Sequence, residues 1–135
     1  MAALTKDRDT QRRDGVQYND PIAANTVIYA GSLVVLNAAG DAVPASTATG
    51  LVVRGVAQEQ VSNNPGVAGA QRIETRRGVF RLGNSASADE ITRAEIGDTC
   101  YIVDDQTVAK TDGTGTRSAA GIIRDVDAAG VWVEI

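Results

Sequence analysis

The chain has no histidine, one cysteine, two lysines, one tryptophan and one phenylalanine among its 135 residues. Without histidine it lacks the commonest general base at neutral pH and the commonest zinc ligand. That excludes histidine-based catalytic triads, and with one thiol it argues strongly against a structural zinc site within one chain. A single cysteine also excludes an intrachain disulfide. Cys100 lies in the apolar run Cys100-Tyr101-Ile102-Val103 and reads as a small buried hydrophobe. No apolar run approaches the ~20 residues that span a bilayer. The first ten residues are charged where a signal peptide carries its apolar region. There is no Asn-x-Ser/Thr sequon either, so synthesis in a cytoplasm without Sec export is the expectation, with no membrane partner.

Leucine is also scarce, 5 residues against 25 valines and isoleucines. Stiff β-branched side chains suit a pleated sheet better than a helix, and 12 threonines and 14 glycines push the same way. Alanine supplies 21 of the apolar residues, so the core of one copy is expected to be thin. Burial against further copies or a partner is a natural remedy. The formal net charge of −4 favours solubility and argues against direct nucleic-acid binding. Eleven of the 13 cations are arginine, a planar fork suited to carboxylates at interfaces.

Residues 1–20 form a distinct polar segment. Lys6, Arg8, Arg12 and Arg13 stand against Asp7, Asp9, Asp14 and Asp20, and Leu4, Val16 and Tyr18 are its sizeable hydrophobes after Met1. Such a stretch cannot offset its own ordering entropy. It reads either as a frayed terminus or as an arm that orders on a partner or a neighbouring subunit. Residues 21–135 then read as one β-rich domain. Strands are expected at Thr26 to Tyr29, Leu33 to Leu36, Ala42 to Pro44 and Leu51 to Ala57, with Gly55 a candidate bulge. The run Leu33-Val34-Val35-Leu36 is apolar throughout, as a strand buried on both faces would be. Arg72 to Leu82 alternates well but slips phase at Arg77-Gly78, where a bulge would restore it. Asp89 to Ile96 is the single helical candidate, with Asp89 or Ser87 to cap it and Gly97 to end it. Two hairpin-like units close the chain, Thr99 to Lys110 and Ala119 to Ile135, separated by a flexible loop. The expected fold is all-β, a small barrel or sandwich of about eight short strands with one short helix and an extended N-terminal arm.

Chemistry is sparse. Asp104-Asp105 can in principle supply a carboxylate pair, but neighbours on a strand point to opposite faces, and aspartate favours turns. Asp125-Val126-Asp127-Ala128-Ala129-Gly130 opens like a calcium loop and fails at its fifth and twelfth positions. Gly113-Thr114-Gly115 precedes no helix and cradles no phosphate. No catalytic residue, cofactor or metal ligand is assigned. Arg76 and Arg77, with Arg72 and Arg81 nearby, make a local basic patch: a solvated edge, or a contact for an acidic partner. Trp132 between Val131 and Val133 is a core anchor in one strand phase and an interface residue in the other.

One resemblance gathers these pieces. Ala30-Gly31-Ser32-Leu33-Val34-Val35-Leu36 with Gly40 and Val43-Pro44, Gly55-Val56-Ala57, Arg77-Gly78-Val79-Phe80, Gly97-Asp98-Thr99-Cys100-Tyr101-Ile102-Val103-Asp104-Asp105-Gln106-Thr107-Val108, Ala120-Gly121 and Gly130-Val131-Trp132-Val133 together resemble the decoration, or capsid cement, proteins of tailed bacteriophages and prophages. The resemblance covers about residues 25–135 and lies in strand and turn grammar. It implies a non-enzymatic virion protein on the capsid exterior, with the major capsid protein and copies of itself, a trimer before a dimer, as partners. Relatives often use an N-terminal arm, which here carries Lys6, Arg8, Arg12, Arg13 and Tyr18. Arg76, Arg77 and Trp132 are the further interface candidates. A phage tail or baseplate component, and a soluble β-barrel that binds a sugar or peptide, are the alternatives.

Overall fold

Twelve short strands make up almost all the regular structure among the described residues, 2–135, of the computed structural model. They are β1 (Gln17–Pro21), β2 (Thr26–Ile28), β3 (Leu33–Leu36), β4 (Ala42–Pro44), β5 (Val52–Ala57), β6 (Val61–Asn63), β7 (Arg72–Arg76), β8 (Val79–Asn84), β9 (Thr99–Ile102), β10 (Thr107–Ala109), β11 (Ala119–Asp127) and β12 (Gly130–Glu134). The all-β class expected from the β-branched composition is what the chain adopts.

The strands divide into two units. In the N-terminal one, five strands lie in the order β1-β7-β5-β3-β4. A parallel bridge from Ile22 to Ala42 brings the residue after β1 against β4, curling the sheet towards closure. The β2-β6 ribbon is a separate pair. In the C-terminal unit, β10-β8-β12-β11-β9 close into a five-stranded barrel. Both closing hairpins expected from the sequence are present, β9 with β10 and β11 with β12.

The junction lies where the alternating run was expected to bulge. At Arg77-Gly78 the strand does not bulge but ends. β7 pairs in the N-terminal sheet, and β8 begins in the barrel. Gly78 has φ 158°, and its carbonyl accepts from Ile135 N at 2.9 Å. Arg77 N donates to Val16 O at 2.7 Å. The phase slip therefore marks a crossover between sheets. Near Gly55 the register does shift: Val34 faces Gly55 while Val35 faces Val53, leaving Arg54 as the extra residue of a bulge.

β3 joins the two units. Val34 packs in the N-terminal cluster with Ile22, Ile28, Ala42, Ala57 and Ile73. Leu33 and Val35, on its other face, pack with the barrel residues Leu82, Ile102, Val108, Ile123, Val131 and Val133. Period-2 geometry makes this alternation unavoidable, and it explains why the run is apolar at every position.

The expected helix at Asp89 to Ile96 is instead two single 3-10 turns, Ser87–Asp89 and Arg93–Glu95. The cause is Asn84. Its side-chain amide donates to Ile91 O at 2.8 Å and its carbonyl oxygen accepts from Ile91 N at 2.9 Å, so Ile91 has no backbone groups left for a helix. Thr92 caps the second turn in place of Ser87 or Asp89, and Glu95 completes a capping box. The loop read as flexible after Lys110 is tied down: Asp89 accepts from Thr111 Oγ1 at 2.6 Å and from Arg117 Nη1 at 3.2 Å.

Candidate functional site

Residues 2–17 are exposed without exception. Lys6, Arg8, Arg12 and Arg13 stand there, with no carboxylate of the body paired to them among the described residues. The last four residues of the predicted arm, however, belong to β1. They pair with β7, Gln17 opposite Arg76 and Asp20 opposite Ile73. With the Val16 carbonyl held by Arg77 N, the free segment ends at Gly15.

β1 is a poor strand by composition, Gln-Tyr-Asn-Asp-Pro, and its partners hold it. On the outer face Gln17 hydrogen-bonds Glu74, and Arg72 donates to Asn19 from Nε and Nη2 at 2.6 and 2.8 Å. On the inner face the Arg54 guanidinium engages both oxygens of Asp20, at 2.7 and 3.1 Å. It also lies 3.7 Å from the centre of the Tyr18 ring. Asp20 is only 8% exposed. A forked, shielded pair with an aromatic face behind it is a strong form of arginine contact. Tyr18, predicted as an arm contact, is thus half-buried and stacked inside the anchor.

Arg76 is exposed on the outer face, opposite Gln17. Arg77 turns inward, and its Nη1 donates to the carbonyls of Val53 and Arg54 at 3.2 and 3.4 Å. The two arginines separate: Arg76 is exposed and Arg77 is half-buried.

Trp132 lies on the outside of the barrel. Val131 and Val133 are fully buried, so the alternation sends Trp132 outward. Its Nε1 donates to Asp127 Oδ2 at 2.9 Å, and Arg81 lies 5.9 Å from its ring centre. This bond, with those from the backbone of Ala129 and Gly130, holds the Asp127 carboxyl below its ordinary acidity range. The Asp125-to-Gly130 stretch is turn chemistry: Asp127 Oδ1 accepts from Ala129 N and Gly130 N at 2.8 and 3.1 Å. Asp104 behaves likewise, accepting from Gln106 N at 2.9 Å. Cys100 is fully buried, and burial pushes its thiol up to about 11.

The predicted residues do not converge on one site. The arm and Arg76 share a corner through the β1-β7 pairing, while Trp132 stands on the barrel. Sequence reasoning did not single out the Arg54-Asp20 anchor, although a lone charge inside the apolar run Leu51 to Ala57 was its signal. A small open cavity of about 270 Å³ also went unmarked, lined by Tyr29, Ala30, Gly31, Ser32, Asp105 and Gln106. Two turns build it: Gly31, at φ 85°, donates to Ala57 O at 2.9 Å, and Leu33 N reaches Asp105 O at 2.8 Å. Its lining residues come from turns some 75 positions apart in the sequence, so no local pattern announces it. No helix of the described residues is long and apolar enough to cross a membrane.

The fold and these surfaces define an all-β protein of two small joined sheet units with an exposed, anchored N-terminal segment. The chain matches no family model, no curated protein and no solved structure.

Proposed function

We propose that this is a non-enzymatic structural protein of a phage virion, one that binds the outer surface of the capsid and stabilises the expanded shell. The observation that carries the reading is the polar segment of residues 2–15, exposed throughout and joined to a strand that an arginine-carboxylate fork fixes in place. A tether that is loose at one end and firmly seated at the other suits a protein that holds neighbours together. The resemblance of residues 25–135 to capsid cement proteins supplies the identity of the partner, the major capsid protein. Trimeric self-association and a place on the capsid exterior belong to the same proposal.

A ligand that binds only the expanded shell stabilises it by mass action, about 2.7 kcal/mol per site at a hundredfold excess over Kd. Many repeated sites multiply the effect. The test is co-sedimentation of the purified chain with expanded and with compact precursor shells. Binding to expanded shells that is lost when residues 2–14 are deleted supports the proposal. Equal binding to both shells, or to neither, overturns it.

A further inference from the structure

The cavity beside Tyr29, about 270 Å³, lies at the lower edge of the roughly 300–1,000 Å³ of small-molecule sites and has room for a single side chain. Its lining combines an aromatic residue that is 60% exposed with Asp105, and Asp104 lies next to it in the turn. Neither aspartate has a cation partner among the described residues. An aromatic and a carboxylate at one concavity match a guanidinium, which takes a π-face and an anion together. Among the described residues, the guanidinium groups of Arg8, Arg12 and Arg13 in the exposed arm form no salt bridge. The arm holds one more cation than anion, and the whole chain has a net charge of −4, so the body is the acidic partner.

We propose that the Tyr29-Asp105 cavity is the receiving site for an arginine, Arg12 or Arg13, from the N-terminal arm of a second copy of this chain. The inference rests on reading residues 2–15 as a binding arm, and it gives that arm a docking point. An arm that leaves one copy and enters the next makes a heterologous contact, which builds rings when the rotation closes. The contact is charge-dependent, so it weakens as salt rises.

The test uses the full-length chain in sedimentation velocity at low and high salt, with two charge-reversed variants. One is Asp105→Arg; the other is Arg12→Asp with Arg13→Asp. Both reverse exposed or half-exposed positions, and circular dichroism and melting temperature verify that each folds as the parent does. The parent self-associates, and each variant alone associates at least about tenfold more weakly. An equimolar mixture of the two regains association, because each arm then meets a pocket of opposite charge on the other chain. A parent that stays monomeric overturns the inference. So does a mixture that fails to recover, which is the outcome when the arm docks in its own pocket or elsewhere. Shell binding is read separately. A chain that binds shells as a monomer overturns this inference and the proposed trimer but leaves capsid binding standing, while one that self-associates through the cavity and ignores shells overturns the capsid reading alone.

Discussion

Trp132 shows how much one residue leaves open until its neighbours are placed. The sequence admits two phases for Val131-Trp132-Val133, and the closure of the barrel selects the one that buries the valines. The indole then finds Asp127 on its own hairpin, so a residue eligible as a binding platform is partly committed to its turn. Because Trp132 is the single tryptophan, its emission reports that bond directly. The Asp127 carboxyl is held below its ordinary value of 3.8, chiefly by the indole N–H. A carboxyl depressed in the folded state contributes stability that is complete above the unfolded value and is lost as pH falls through the folded one. Emission is therefore expected to stay constant from neutral pH down to about 4 and to change only below it. Asp127→Asn is expected to shift the neutral-pH emission and remove that acid step. A wild-type step centred above 3.8, or an unchanged titration in the variant, contradicts the assignment.

At the scale of elements, legibility followed local pattern. β3, β4, β5 and the two closing hairpins were readable because β-branched runs between turn residues are a local signal. β1 and β6 were not. β1 is polar and ends in proline, and its strand state comes from partners more than thirty residues away: Arg54, Arg72 and Glu74. The failed helix has the same cause, since Asn84 takes the backbone of Ile91 from outside the segment. The β1 anchor leads to a direct expectation. Arg54→Met removes the fork and leaves Asp20 shielded without its cation, at a cost of about 2–3 kcal/mol. The loss should concentrate at β1, because β5 retains its pairing with β3. Limited trypsin digestion, followed by mass spectrometry, should show faster cleavage at Arg72 and Arg76 in the variant. Equal cleavage rates and an unchanged melting temperature would show that the fork does not hold the strand.

The whole molecule is two small sheet units that cannot be separated without halving a core. Neither cluster is large, and the biggest fully buried side chains are isoleucine, leucine and valine, as the scarcity of aromatics foretold. What compensates is sharing: one face of β3 completes the N-terminal cluster, and the other completes the barrel. Further ties reinforce the join, among them Ser118 Oγ donating to Ala48 O at 2.7 Å and accepting from Leu51 N at 3.0 Å. Two units joined this way should unfold as one. Ile73 lies in the N-terminal cluster, and Trp132 reports on the barrel, so the pair makes a test. Ile73→Val removes one buried methylene and should cost about 0.5–1.5 kcal/mol. The melting midpoint should fall by roughly 2–8 °C, by the same amount in tryptophan emission and in far-ultraviolet circular dichroism. If the mutation lowers the dichroism midpoint and leaves the emission midpoint in place, the units melt separately and β3 is a tether between them. Coincident shifts mean that a load on the N-terminal segment, delivered through β1 and β7, is borne by the cooperative stability of the whole chain.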